Sequence, residues 1–268
     1  MPATGADSIW IADRTADGST TLHNPPTRRL AEAILRDLLL STLGRVLVGV
    51  DFSLALPRGA VRAAGLGQGW ADLWAHLAEH LVDDEHNRNN RWEVAAALNR
   101  RLGAPHFWGV PAARATAHLT VRRPTPTLPH LRHCETELRS ADGRAPKSTW
   151  QLLGAGSVGS QALTGIPVLH RLRHHPGLAG RARVWPFETG LEPDPAPGDD
   201  TILFAEVWPS TVPLDPADHE VKDARQVLAL ARHLAVLDEA GELARRFAPP
   251  LDPDIVDDVI REEGWVLH

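Results

Sequence analysis

Asp51 closes a continuous apolar run, Val46-Leu47-Val48-Gly49-Val50, and Glu206 interrupts a second, Ile202-Leu203-Phe204-Ala205 before Val207. A carboxylate set into an apolar strand is costly to bury unless it is paired or holds a cation. Two such acids at the C-terminal ends of neighbouring strands would converge in the crevice where open α/β sheets hold their ligands. Carboxylates held this way suit Mg²⁺, a hard cation that prefers oxygen and phosphate. The competing reading is that each acid is satisfied by an arginine or lies just outside the sheet.

Two other spacings invite chemistry. Gly154-Ala155-Gly156-Ser157-Val158-Gly159 has the spacing of the dinucleotide fingerprint. That fingerprint needs a strand before it and a helix opening inside it, so that helix N–H groups meet a pyrophosphate. Here Trp150-Gln151-Leu152-Leu153 makes a poor strand. The next strand's acid, Glu188, lies 29 residues past Gly159 rather than about 20 past the motif. No NAD or FAD is expected, and the glycines read as a loop or helix face packed closely against another element. His76-Leu77-Ala78-Glu79-His80 sets two histidines at i and i+4, a zinc-site spacing. With 14 histidines in the chain, chance matches are common. Trp74, Leu77 and Leu81 form the buried stripe, which leaves the histidines and Glu79 on a solvated face without a third ligand. No zinc is expected.

These residues belong to a chain of 268 with ordinary globular composition, 43% apolar and 23% charged, enough to bury a sizeable core. The single cysteine, Cys134, excludes an internal disulfide. No apolar run approaches the length of a membrane span, and the first residues have no basic and apolar leader, so a soluble cytoplasmic protein is expected. A net charge of −6 is a poor footprint for duplex DNA and favours a small or single-stranded phosphate-containing substrate.

Several elements must position the acids. Strands are expected at residues 8–12, 46–52, 183–187, 201–208 and 265–267, with a hairpin return at 20–22. Helices are expected at 30–42, 69–82, 89–102, within 150–172, over 223–247 as one bent helix or two, and at 254–261. Residues 104–145, rich in Pro, Arg and Thr, read as a long excursion with one strand at 118–121. Strands alternating with helices give an α/β fold.

At this point the residues resemble a family. Asp51 in Val-Gly-Val-Asp-Phe-Ser, followed by Pro57-Arg58-Gly59, resembles a strand of an RNase H-like domain. Glu206 in Phe-Ala-Glu-Val-Trp-Pro resembles the E-V-x-P strand of an RNase H-like domain family of unknown function. Leu237-Asp238-Glu239-Ala240 resembles its acidic D-A helix, and Glu262-Glu263-Gly264-Trp265-Val266 its terminal E-G-W-I strand. Asn89-Asn90-Arg91, Phe107-Trp108-Gly109 and Trp150 to Ser160 resemble motifs of its bacterial members. The likeness runs along nearly the whole chain and is specific for the family, not for an activity. Molybdopterin or cobalamin labels sometimes attached to such sequences find no chemical support in these residues.

The resemblance implies one RNase H-like domain over residues 1–268, a mixed sheet flanked by helices, with a helical and Pro-rich insertion over 60–145. It implies a Mg²⁺-dependent phosphodiesterase or nuclease-like hydrolase. Asp51, Glu206 and Asp238 would hold metal and position water. Asn90, Arg91, Lys147 and Gln151 would bind substrate, Arg91 through phosphate. Capping explains one asparagine equally well, surface placement explains Lys147 and Gln151, and Asp223 reads as an acid favoured by its helix dipole. The alternative is a non-catalytic binding or scaffold protein of the same fold. Relatives begin with a further acid-bearing strand, V-D-W-S-A, just ahead of the motif that is Gly5-Ala6-Asp7-Ser8-Ile9-Trp10 here. Without it the sheet is expected to lack a central strand, to leave the 46–52 edge open and to offer a route to a homodimer.

Overall fold

The computed structural model describes residues 2–154 and 156–268. Ala155, inside the glycine motif, lies outside them. β1 (Ile11–Arg14) and β2 (Thr20–His23) form an antiparallel hairpin around the Asp17-Gly18 turn. Thr27 then caps α1 (Arg28–Ser41), its hydroxyl accepting the Leu30 N–H. β3 (Val46–Val50) follows, then α2 (Ala60–Ala63), α3 (Trp70–His80) and α4 (Arg91–Arg101). After a 3₁₀ turn at Ala112–Arg114 come α5 (His133–Glu137) and α6 (Gly159–Arg173). β4 (Ala182–Val184), β5 (Ile202–Val207), α7 (Lys222–Glu239), α8 (Leu243–Phe247) and α9 (Pro253–Asp258) lead to a π-helical turn, Val259–Glu263, and β6 (Val266–Leu267).

The fold is α/β. β5 lies at the centre of a four-stranded sheet whose pairings are all parallel. It pairs with β3 on one side and with β4 and β6 on the other. Its six residues are all buried, as expected of a parallel strand covered on both faces. Ile202 and Phe204 enter a core built with α3, α4 and α6. Leu203, Ala205 and Val207 enter a second core built with α7, α8 and the π turn. Residues 60–145 are not peripheral to this: Leu73, Leu98, Phe107 and Leu119 share the first core with Val48 and Val50.

Two expectations need correction. One mixed sheet was expected, but the hairpin stands as its own two-stranded sheet. β1 packs on α7, and Trp10 meets the His219 ring edge-on at 5.1 Å. The strand expected at 118–121 reduces to single bridges, Trp108–Thr120 and Thr116–Leu119, because prolines at 111, 124 and 126 remove ladder donors around it. The long pattern over 223–247 takes the second of its two expected forms, two helices separated at Gly241, whose φ of +69° favours glycine.

β3 has an open side. Val46 donates to the carbonyl of Thr201, the residue just before β5, so alternation commits Val46, Val48 and Val50 to β5. Leu47 and Gly49 direct their N–H and C=O groups outward, and among the described residues β3 pairs only with β5. Gly49 and Asp51 are exposed there. No helix among the described residues is long and apolar enough to cross a membrane.

Phe52, one residue beyond Asp51, packs over Gly165 of α6, where a Cβ would sit 2.4 Å from the ring. Gly165→Ala should therefore cost about 1–3 kcal/mol by overpacking. Gly180→Ala, with nothing within 4 Å of the added atom, should change stability by less than about 0.5 kcal/mol. Thermal melts of the two variants compare them directly.

Candidate functional site

The C-terminal edge of the sheet is organised by a side chain that the motifs did not mark. Arg132 precedes α5 and is 1% exposed. Its two terminal nitrogens grip Glu206, with Nη2 2.6 Å from Oε1 and Nη1 2.8 Å from Oε2. Nη1 also donates to the Glu263 carbonyl at 2.9 Å, Nη2 to Ser53 Oγ at 3.1 Å, and Nε to Glu135 Oε1 at 3.1 Å. All five guanidinium N–H groups are used. Glu206 receives one further donor, the Leu54 N–H at 3.0 Å. Glu135 accepts the Arg132 N–H and lies 2.9 Å from Thr149 Oγ1. Burial pushes the Glu135 carboxyl above its usual range, against the pull of Arg132.

The Glu262-Glu263-Gly264-Trp265 motif completes this frame. The Glu263 carboxylate, 0% exposed, accepts the N–H groups of Arg58 and His133 at 2.7 and 2.6 Å. Glu262 accepts the Gly59 N–H at 2.5 Å and the Arg62 guanidinium at 3.0 Å. Pro57-Arg58-Gly59 and the terminal acidic motif thus hold each other through backbone donors, a structural role.

Asp51 lies one residue past the end of β3, near enough to Glu206 for the two carboxylates to repel. In the β3–β5 register Glu206 lies opposite Val50, and it shares the face of Ile202 and Phe204. Asp51 has the parity of Leu47 and Gly49, which turn to the other face: Leu47 packs on the second core, and a Cβ on Gly49 would touch Val207 at 3.0 Å. Asp51 is also within electrostatic reach of Asp223, in the first turn of α7. Among the described residues no hydrogen bond reaches the Asp51 carboxyl. Water reaches it from the open side of β3, while protein surrounds it elsewhere. That desolvation, with the charges of Glu206 and then Asp223, raises its pKa to about 7. Asp223 Oδ2 accepts the Asp7 N–H at 2.8 Å.

The other expected site residues scatter. Asp238 is exposed at the far end of α7, 15 residues from Asp223 and so about 22 Å along the axis at 1.5 Å per residue. It cannot join Asp51. Asn90 is a clamp: its Oδ1 accepts the Val82 N–H at 2.8 Å, and its Nδ2 donates to the His80 carbonyl at 2.9 Å. Arg91 is half-buried, donates to Ser160 Oγ at 3.1 Å and Asn89 Oδ1 at 2.8 Å, and stacks on Trp92 at 4.1 Å. Lys147 is exposed, with Gly156 beside its side chain, and Gln151 lies against Gly154. Gly159 is packed so closely that a Cβ would meet the Thr149 carbonyl at 2.4 Å. His76 and His80 stack at 4.2 Å along an outer face of α3, with Trp74 and Leu77 buried beneath.

The donor set bears on the expected cation. Both oxygens of Glu206 are committed to Arg132, and Asp238 is remote. Among the described residues no three His, Cys, Asp or Glu side chains are grouped to hold a metal ion. Asp51 and Asp223 are what remains, and the three-carboxylate set does not fit. No protein-family model, curated protein or solved structure matches the chain.

Two outcomes follow from these charges. Arg132→Met strands Glu206 and Glu135 in the interior and should cost about 3–5 kcal/mol in denaturant unfolding, part of which a second change, Glu206→Gln, should restore. Asp51 titrates near 3.8 when unfolded and about 7 when folded. The folded state thus holds an extra proton between these values, and its stability falls as pH rises from about 4 to 7. Asp51→Asn should be more stable than the parent at pH 8 and no more stable at about pH 4, read as denaturant midpoints across that range.

Proposed function

We propose that the chain is a non-catalytic binding protein of RNase H-like fold, acting in the cytoplasm on a small or single-stranded phosphate-bearing ligand. One observation carries this reading: Arg132 spends all five of its donors, two of them on Glu206. A guanidinium stands where hydrolysis would need a cation. The fold reading is supported by the parallel β3–β5 pair with helices on both faces.

Asp51 favours a second reading, Mg²⁺-dependent phosphoester hydrolysis. It is an unpartnered carboxyl with a raised pKa at a strand end, a pattern common at functional sites. In that case Asp51 and Asp223 would hold the ion, one or two carboxylates sufficing when waters and substrate phosphate complete its shell.

The two readings separate in one assay, hydrolysis of bis(p-nitrophenyl) phosphate with Mg²⁺ or Mn²⁺. The binding reading expects no release above buffer. Turnover that Asp51→Asn lowers by about 100-fold or more, with Asp238→Asn unchanged, establishes the hydrolase instead. The open edge of β3 supports a further part of the proposal, pairing of two copies through that edge, since neither proline nor a charged residue guards the strand. Light scattering should give twice the mass of one chain; a single-chain mass at every concentration sets the dimer aside.

A further inference from the structure

Away from the acids, charge is unevenly spread. Residues 86–147 carry eleven Arg and Lys against four Asp and Glu, net +7 on a chain of net −6. The remainder is therefore net −13. Within the basic segment an open cleft of about 460 Å³ lies between α4 and residues 113–119. Trp92, Ala96 and Arg100, spaced i, i+4, i+8 along a single helix face, line one wall together with Glu93. Arg114, Thr116 and His118 line the other.

The cleft is built rather than incidental. Asn99, on the inner side of α4 and 1% exposed, fastens the opposite wall with four hydrogen bonds. Its Oδ1 accepts the N–H groups of His106 and Phe107, both at 2.9 Å, and its Nδ2 donates to the carbonyls of Phe107 and His118 at 2.9 and 2.6 Å. Of the two arginines that line the cleft, one is unpaired among the described residues and one is paired to Glu93. Among the described residues Arg100, Arg101 and Arg122 make no ion pair, and Arg91 is bonded only to neutral groups. Arg114 meets Glu93 at 3.2 Å, an exposed pair of little strength. Burial, then the charge of Arg28, holds the Arg91 pKa below its ordinary value, with Asp83 and Glu93 acting the other way.

We propose that the cleft between α4 and residues 113–119 binds single-stranded nucleic acid, with Arg100 and Arg114 on phosphates and Trp92 against a base. The proposal deepens the binding reading above by naming its ligand class and surface. A cleft of this size admits one or two nucleotides and no duplex. An aromatic wall serves a ligand with exposed rings, which an unpaired strand has and an acidic peptide lacks.

The test is fluorescence anisotropy of the purified protein with labelled oligodeoxythymidylate of about 15 nucleotides, in EDTA so that nothing is cleaved. Saturable binding should weaken steeply between about 50 and 200 mM salt. Arg100→Glu with Arg114→Glu should weaken it about tenfold or more. Trp92→Leu should lose at least about fivefold, and Trp92→Phe should keep most of the affinity. Arg245→Glu, the same charge change on the exposed face of α8, should leave binding unaltered. Unchanged melting curves separate lost contacts from lost folding. The proposal is overturned by no saturable binding at low salt, or by equal losses in Arg245→Glu. Displacement by polyglutamate as readily as by unlabelled oligonucleotide also overturns it, and makes an acidic protein segment the occupant. The hydrolysis assay fails or succeeds independently of these readouts.

Discussion

A guanidinium taken out of water must find an acceptor for every N–H, and Arg132 governs the C-terminal edge of the sheet for that reason. Its partners come from four separate stretches: Ser53 after β3, Glu135 in α5, Glu206 in β5 and the Glu263 carbonyl before β6. None of these stretches can move alone without stranding a buried charge, which is far costlier than losing a neutral contact. Buried ion pairs add little net stability over apolar packing, so the constraint is one of arrangement. It fixes where β3 ends, where α5 starts and how the terminal strand docks. Glu263 extends the constraint outward, its carboxylate holding Arg58 and His133 by their N–H groups while its carbonyl serves Arg132.

A second constraint is the period of two along a strand. Asp51 and Glu206 look equivalent as acids ending apolar strands. Val50 rather than Asp51 lies opposite Glu206, so the two acids stand one residue out of step. Glu206 meets Arg132. Asp51 meets desolvation and the charges of Glu206 and Asp223. The same residue type thus becomes a locked ion pair in one place and a carboxyl titrating near neutrality in the other.

The strands and helices were largely legible in the sequence because apolar runs and helical periodicity are local signals. β3, β5, α1, α3 and α4 lie within a few residues of their expected places. The site was less legible. Arg132 sits in a Pro-rich stretch without periodicity, and nothing local distinguishes it from the other arginines of that stretch. The available signal was indirect: an acid as deep in an apolar strand as Glu206 demands a cation, and an arginine was one of the two candidates. Asp238 was placed by resemblance, which carries motif order but not helix length. Asp223, fifteen residues earlier on the same helix, was legible only as an acid favoured by a helix N-terminus. The paired glutamates of the terminal motif looked like chemistry because charge is seldom buried, yet they cap backbone donors.

Net charge is a poor guide to partners when charge is segregated. A chain of net −6 repels a polyanion only on average. At physiological salt the field of an exposed charge decays over about 8 Å, so a ligand at one face feels chiefly that face. With net +7 in residues 86–147 and net −13 elsewhere, an approaching anion is drawn to the basic segment and turned from the acidic surface. The acids near the sheet edge oppose a bound phosphate as the chain stands, because Glu206 is already neutralised and Asp51 and Asp223 already repel each other. Packing takes Arg132 out of that basic segment and spends it on the sheet edge, while Arg100, Arg101 and Arg122 make no ion pair among the described residues and stay available to an anion.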